Sequence, residues 1–518
     1  MSDLIQVPDS LTSGAPMDPF ERDRLERLGP RDWINPRAAG RYDLVVLGAG
    51  PAGLAAAESA ANLGARVALV ERKLLGGISL NSATVPSKTL LRTTRLYADM
   101  ANAAHYGAVP CDVVPDFPRA MARLRHIRSH LSREDSVHRV ATFGVDLFFG
   151  EGRFVAGDAI EVDGQRLHFS RALIATGSCS AVSPIPGLAE AGFLTSETVF
   201  DLEHLPRRLV VIGGGPLGCE LAQAFRILGS RTTIVQDKPL FLDNEERDAA
   251  QMLSDAFARD GIEVRLNTTA VCVRVVDGET LVDLRSDDYT STIGADAILT
   301  GMGRMPNVQD IGLEAAGVEF DPTTGICVDP YLRSSNPNVY AAGDACLEYK
   351  FTHTAVTSAR IVVRNALFDG RERMDDLVVP WCTYTDPEIA HVGLHVREAN
   401  RRGIPVKTFT IPMHEVARAV TDGEDVGFVK ITVREGSDRI LGATIVARHA
   451  GEMINEISLA MVTGVGLRAL ARVIHSYPTQ ADAIRQAAQA YNRARLTPRV
   501  RARLARSLAA RFPRRDDQ

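Results

Sequence analysis

Two stretches of the chain repeat one pattern: a short apolar run, a glycine turn, an apolar-rich run of helical length, and a second apolar run. Asp43-Leu44-Val45-Val46-Leu47 reads as a buried strand, because a short continuous apolar run bounded by turn residues fits a strand covered on both faces. Gly48-Ala49-Gly50-Pro51-Ala52-Gly53 follows as a tight turn and the alanine-rich run Leu54 to Leu63 as a helix. Arg66-Val67-Ala68-Leu69-Val70 is the next strand, ending at Glu71. The order recurs in Arg208-Leu209-Val210-Val211-Ile212, then Gly213-Gly214-Gly215-Pro216-Leu217-Gly218, a helix from Cys219 to Leu228, and Thr232-Thr233-Ile234-Val235. Each is a βαβ unit, and together they form a coarse internal repeat. From about Val379, strand and helix patterns mix without such a turn. Residues 1–40 are polar and Pro-rich with no sustained period, apart from a short helix expected from Asp18 to Leu28. Near the other end Val500, Leu504, Leu508 and Phe512 recur every four residues and so share one helix face.

A glycine turn between strand and helix lets the backbone approach a pyrophosphate, which then sits at the helix N-terminus. An acidic residue about 20 positions further on binds the ribose hydroxyls. Gly48, Gly50 and Gly53 meet this requirement with Glu71, 21 positions after Gly50. Gly213, Gly215 and Gly218 form a second cradle, and the strand after it ends at Gln236, followed by Asp237 and Lys238. A glutamine amide hydrogen-bonds a hydroxyl but offers no charge to a phosphate, whereas Arg231 and Lys238 could serve a phosphate. The balance leans to a dinucleotide with a free ribose 2′-hydroxyl and leaves one with a 2′-phosphate open.

Composition adds limits. With 518 residues, 45% hydrophobic and 24% charged, the chain can build several domains with sizeable cores. No apolar run reaches the ~20 residues that span a bilayer, and the N-terminal stretch lacks a basic segment followed by an apolar one, so a secretory signal is not expected. Cys111, Cys179, Cys219, Cys272, Cys327, Cys346 and Cys382 stand singly, with no CxxC or CxxxxC spacing. They read as buried free thiols of a cytoplasmic protein without a bound metal. The net charge of −5 is uneven: nine Arg and two Asp give residues 493–518 a charge of +7, which leaves −12 on the remainder. A basic amphipathic tail of this kind is a candidate for peripheral contact with an anionic membrane, set against a solvated or self-docked helix. Nucleic acid is not an expected partner.

Further segments carry a family resemblance. Gly76-Gly77-Ile78-Ser79-Leu80-Asn81-Ser82-Ala83-Thr84-Val85-Pro86-Ser87-Lys88 resembles the signature of flavoprotein disulfide reductases: Gly-Gly, Cys, four residues, Cys, then Val-Pro-Ser-Lys. Leu173-Ile174-Ala175-Thr176-Gly177-Ser178 resembles the Ala-Thr-Gly strand-turn of two-dinucleotide flavoproteins, and Asn338-Val339-Tyr340-Ala341-Ala342-Gly343-Asp344-Ala345 their second FAD motif. Gly301-Met302-Gly303-Arg304-Met305-Pro306-Asn307 and Tyr384-Thr385-Asp386-Pro387-Glu388 are similar to further family runs. Over about residues 41–492 the chain resembles the class I pyridine nucleotide-disulfide oxidoreductases, with mercuric-reductase-like and lipoamide-dehydrogenase-like members nearest in pattern.

The resemblance implies FAD at the first glycine turn, contacted by Gly77, Gly152, Thr176 and Gly177, with Gly343 and Asp344 on the flavin side. It implies NADH or NADPH at the second turn, with Gly303 and Arg304 near the nicotinamide. Lys88 takes the place of a family lysine beside flavin N5, and Glu220 that of its carboxylate partner. A cation beside N5 favours hydride uptake. It also implies an α/β fold of two Rossmann-like dinucleotide-binding domains and a C-terminal α+β dimerisation domain. The corresponding divisions are an extension over 1–40, FAD domain parts over 41–185 and 301–376, an NAD(P) domain over 186–300, a dimerisation domain over 377–492 and a basic tail over 493–518. In the implied homodimer the C-terminal domain completes the partner's flavin pocket.

Where the family has two cysteines, this chain has Ser79 and Thr84, whose hydroxyls have no accessible two-electron couple. The run His475-Ser476-Tyr477-Pro478 carries Tyr477 where thiol reductases have their acid-base His, and Asp482 where they have its orienting Glu. A tyrosine with a pKa near 10 is a poor base at neutral pH but still donates a hydrogen bond. The expectation is an FAD-dependent NAD(P)H oxidoreductase that passes electrons directly to a small diffusible acceptor such as a quinone. Hydride exchange between NADH and NADP, a substrate-specific flavin oxidoreductase and a non-catalytic flavin-binding scaffold stay open beside it.

Overall fold

The computed structural model describes residues 17–109, 112–181, 184–287 and 289–512. They fall into two compact units. One comprises the chain up to Leu240 together with Asp260–Leu377, the other Phe241–Arg259 together with Val378 onward.

The first unit begins with helix α1 (Pro19–Leu28), started by Pro19 in its first turn and capped by Asp18, whose carboxylate accepts the Phe20 N–H at 2.9 Å. The sequence expectation for this helix agrees to within one residue. Strand β1 (Arg41–Leu47), helix α2 (Pro51–Asn62) and strand β2 (Val67–Glu71) form the first βαβ unit. Short helix α3 (Gly77–Asn81) and helix α4 (Thr84–Ala101) follow, then helix α5 (Phe117–Leu131). Strands β3 (Asp146–Phe149), β4 (Arg153–Ala156), β5 (Ala159–Val162) and β6 (Gln165–Ile174) complete a sheet of order β3-β2-β1-β6-β5-β4, with Val339–Ala341 paired to β6. The pairings β2–β3, β1–β2 and β1–β6 are parallel. That explains why β1 is buried without a break from Leu44 to Leu47, where it is paired on both sides.

The second βαβ unit builds a separate parallel sheet in the order Glu263–Arg265, Arg231–Val235, Arg208–Ile212, Ala297–Thr300, with helix Pro216–Ile227 between its first two strands in sequence. Both crossover helices start three residues before the positions read from sequence. Gly50 and Gly215 serve as N-caps, and Pro51 and Pro216 sit in the first turn, where a missing N–H costs nothing.

The second unit is built on a five-stranded antiparallel sheet ordered Pro380–Thr383, Glu388–Gly393, Ile440–Ala447, Phe428–Arg434, Val406–Pro412. Its apolar face shares a core with helices Ala450–Val462 and Asp482–Ala494. The basic helix Pro498–Arg511, capped by Thr497, buries none of its residues. No helix among the described residues is long and apolar enough to cross a membrane.

The cysteines differ in part from the expectation. Cys219 is buried, and Cys179, Cys272, Cys346 and Cys382 are partly buried, but Cys327 is exposed. Alternation after the short strand Gly325–Ile326 turns Ile326 inward and leaves Cys327 outside. Cys111 lies outside the described residues.

Candidate active site

The first glycine turn is shaped by close approach. A Cβ on Gly53 would lie 1.8 Å from the Gly48 carbonyl oxygen, and Gly48 itself has φ +101°. The turn also meets the segment after β2: a Cβ on Gly77 would lie 2.7 Å from the Gly50 Cα. Only glycine lets these two backbones touch. Glu71, at the end of β2, accepts the Ala49 N–H at 2.8 Å and the Lys73 N–H at 2.8 Å. Burial pushes its carboxyl above the ordinary value, and these two N–H groups oppose the push. Gly152 packs against Leu47 and Val70 near the ends of β1 and β2, with no room for a side chain. This cradle of bare backbone with an acid at the next strand end fits a dinucleotide pyrophosphate and ribose.

The second turn repeats the device with a neutral group. A Cβ on Gly218 would lie 2.2 Å from the Gly213 carbonyl, and Gly213 has φ +107°. Gln236 Oε1 accepts the Gly214 N–H at 2.7 Å, as Glu71 does for Ala49. Gly215 caps the helix that follows, and Gly303 has φ +104° with open space about its Cα.

Lys88, on α4, and Glu220, on helix Pro216–Ile227, meet although 132 residues separate them. Lys88 Nζ lies 2.7 Å from Glu220 Oε2 and also donates to Ser87 Oγ at 3.2 Å. The Glu220 side chain is 3% exposed and that of Lys88 32%, so one end of the pair is buried and the other reaches solvent.

Ser79 and Thr84 converge on a residue that sequence reasoning missed. Thr352 Oγ1, at the start of helix Thr352–Leu367, lies 2.9 Å from Ser79 Oγ and 3.4 Å from Thr84 Oγ1. Three hydroxyls thus share one small site. The only local hint was a hydroxyl residue shortly after Gly343-Asp344, at the head of a helix.

Arg304 donates to Ser178 Oγ and to the Ser178 carbonyl, both at 2.7 Å, and Ser178 Oγ donates to Asp344 at 2.5 Å. Its guanidinium is thereby tied to the predicted flavin-side residue Asp344. Thr176 donates its hydroxyl to the Asn307 carbonyl, and Gly177 beside it has φ +70°. Gly343, φ +70°, fits between Ala52 of α2 and Ala355, where a Cβ would approach to 3.1 Å.

Tyr477 and Asp482 belong to the second unit. Tyr477 is 75% exposed. The Asp482 carboxylate accepts hydrogen bonds from Arg485 at 2.6 Å and Gln486 at 2.9 Å on its own helix. Burial raises its pKa, but these partners outweigh it and hold the carboxyl below the usual range. His475 is mostly buried and lies 3.0 Å from Glu456. Among the described residues no group of His, Cys, Asp and Glu is arranged to hold a metal ion.

Comparison with known proteins adds a second line of support. The family described as pyridine nucleotide-disulphide oxidoreductase matches residues 42–359, and its dimerisation domain matches residues 379–488. A mercuric reductase of Staphylococcus aureus is 32% identical over 88% of this chain and 83% of its own. A mercuric reductase of Streptomyces lividans is 34% identical over 87% of this chain and 96% of its own. Among solved structures, LpdA from Mycobacterium tuberculosis superposes with a TM-score of 0.80 at 28% identity, covering 86% of this chain and 99% of that one. The HOCl-induced flavoprotein disulfide reductase RclA from Escherichia coli gives 0.78 at 27% identity, with coverage of 86% and 99%.

Proposed function

The chain belongs to the pyridine nucleotide-disulphide oxidoreductase family, and on that premise we propose that it is an FAD-dependent NAD(P)H oxidoreductase without a dithiol relay, delivering electrons directly to a diffusible acceptor such as a quinone. The family binds FAD and NAD(P)H, and its dimerisation domain implies a homodimer. The observation that carries the reading is the hydroxyl cluster of Ser79, Thr84 and Thr352 in the same unit as an intact Lys88–Glu220 pair.

FAD, when bound, supplies the chemistry of taking a hydride from the nicotinamide and passing the electrons on. The chain's own part is positioning and charge. The first turn holds the pyrophosphate through bare backbone, and Glu71 takes the ribose hydroxyls. Glu220, 2.7 Å from Lys88, aims its ammonium, which would place a positive charge where electron density accumulates on the bound flavin. The cluster of three hydroxyls can both donate and accept hydrogen bonds, so it suits the carbonyl oxygens of a quinone. None of the three can form a disulfide. In the dimer, Tyr477 supplies a further phenolic donor from the partner. Mercury reduction, the activity that names several relatives, is not carried over, because the chain has no cysteine at positions 79 and 84.

Anaerobic stopped-flow mixing with NADH and with NADPH tests the first half of this reading. Bleaching of the flavin band by either is expected, faster with NADH. Bleaching by neither would leave only a flavin-binding scaffold. Mixing the reduced protein with a quinone and, separately, with a thio-NADP analogue tests the second half. Rapid reoxidation by the analogue alone would make the protein a transhydrogenase.

A further inference from the structure

Helix α1 precedes the region that the family description matches, yet it is bonded to the segment that carries Ser79. The link has three parts. The Leu28 carbonyl, at the end of α1, accepts the Leu75 N–H at 3.0 Å. Gly29, the residue after α1, comes so close to Lys73 that a Cβ there would lie 2.8 Å from the Lys73 carbonyl. The third part is a side chain: Arg24 donates to Asn81 Oδ1 and pairs with Glu21 on its own helix.

Asn81 is the closing residue of α3. Its amide donates to the carbonyls of Leu75 at 3.0 Å and Gly77 at 2.8 Å, which ties the segment into a loop around Gly76 and Gly77. Its own carbonyl accepts Arg128 Nη1 of α5 at 2.9 Å, and Arg128 also bonds Glu21 at 2.8 Å. Arg24 is 6% exposed and Arg128 4% exposed, and in that buried place Glu21 and Asn81 meet both guanidinium groups, with Asp201 3.7 Å from Arg128. Asp18 anchors the start of α1 to α5 through Arg125 at 2.8 Å.

The segment being held is otherwise loosely built. α3 has five residues and no side-chain cap, and the backbone between α3 and α4 leaves helical geometry at Ser82 and Ala83. Helices this short have little stability of their own. No covalent link is available, since the residues flanking the break are Ser79 and Thr84. A buried, charge-assisted bond to Asn81 therefore supplies what the local sequence does not.

We propose that α1 is a clamp on the active-site segment, and that Arg24 is a positioning residue that fixes α3, and with it Ser79, against the first dinucleotide turn. The effect on acceptor binding rests on the function proposed above; the effect on the segment itself does not.

The test compares the wild-type holoprotein with Arg24→Gln, Arg24→Lys and Arg27→Gln. Arg27 lies on the same helix but donates to the Ser129 carbonyl and Asp23, not to Asn81. Hydrogen exchange followed by mass spectrometry reads the amides of residues 76–84 against those of β1 and β2. Arg24→Gln is expected to speed exchange at 76–84 by about tenfold or more, the size of a lost charge-assisted hydrogen bond, with β1 and β2 unchanged. Arg24→Lys is expected to recover part of the protection, and Arg27→Gln to match the wild type. In turnover, Arg24→Gln should raise the quinone KM several-fold while flavin bleaching by the nicotinamide stays within about twofold of wild type. Unchanged exchange at 76–84 in Arg24→Gln, or equal acceleration throughout the first unit, would overturn the clamp. Faster exchange confined to 76–84 in a protein whose wild type reduces no quinone would keep the clamp and remove the proposed acceptor.

Discussion

Glu220 is a carboxylate with 3% of its side chain exposed, and it faces the Lys88 ammonium at 2.7 Å. Removing the ammonium while leaving the carboxylate costs more than removing both, because a buried carboxylate then loses the ammonium that faces it. Lys88→Met is expected to slow flavin bleaching by the nicotinamide roughly 10–100-fold and to lower stability by about 1–3 kcal/mol. Adding Glu220→Leu should restore most of the stability and none of the rate, so thermal melts and stopped flow on the two variants separate structural from electrostatic roles. This pair was legible in the sequence, since each member sits in a segment with a recognisable frame. Thr352 was not, because the contact with Ser79 spans 273 residues and nothing in local spacing foretells it. Asn81 was hidden for the same reason. An asparagine inside a signature segment gives no sign that a helix 57 residues earlier will bond to it.

At the level of elements, the glycine turns were the most readable part of the chain, because their geometry leaves little choice of residue. The two turns also offer a contrast. Gly53→Ala would place a methyl 1.8 Å from a backbone oxygen in the first turn, and Gly218→Ala one 2.2 Å from the equivalent oxygen in the second. Each should cost roughly 3 kcal/mol or more locally. The purified Gly53→Ala protein is expected to carry little FAD. Gly218→Ala should keep its yellow colour but resist bleaching by NADH and NADPH, and absorbance alone distinguishes the two. The helix starts were misplaced by three residues because a proline looks like a breaker in a linear reading, whereas at a first turn it is compatible with the helix. The break between α3 and α4 was likewise invisible, since it arises at Ser82 and Ala83, residues that favour no such geometry on their own.

At the level of the whole molecule, the second unit carries a buried cluster that links its stability to acidity. His391 lies on strand Glu388–Gly393, its ring 3.7 Å from that of His395 and 4.6 Å from that of Trp381. Burial, with the His395 charge beside it, brings its pKa down from 6.5 to about 3. Burial alone would push Glu246 up, but His395, the Val396 N–H and Lys430 outweigh it and hold the carboxyl at about 2. Both folded values lie below the unfolded ones, so both groups lose stability for the fold as pH falls: His391 between 6.5 and about 3, Glu246 between 4.5 and about 2. Glu245, pushed up by burial, acts in the opposite sense, but only above its ordinary value of 4.5. Between about pH 4.5 and 3 these two groups by themselves take up to about two protons more in the unfolded chain than in the folded one, a contribution of as much as about 2.7 kcal/mol of lost stability per pH unit. Urea titrations followed by Trp381 fluorescence, with Trp33 replaced by Phe, are expected to show stability falling over this range, and His391→Gln should lessen the slope by up to about 1.4 kcal/mol per pH unit.

The hydroxyl cluster has one more consequence, which concerns how many electrons a protomer can hold. A flavin next to a dithiol stores four electrons, whereas on the proposed function a flavin bound beside Ser79, Thr84 and Thr352 would store two. Anaerobic titration with NADH should therefore reach its endpoint at one equivalent per flavin, with no long-wavelength charge-transfer band from a thiolate along the way. An endpoint at two equivalents would mean that a second acceptor lies elsewhere in the protein. On the proposed function, a protomer held to a single pair would discharge to its acceptor before taking the next hydride, and turnover is expected to rise with acceptor concentration.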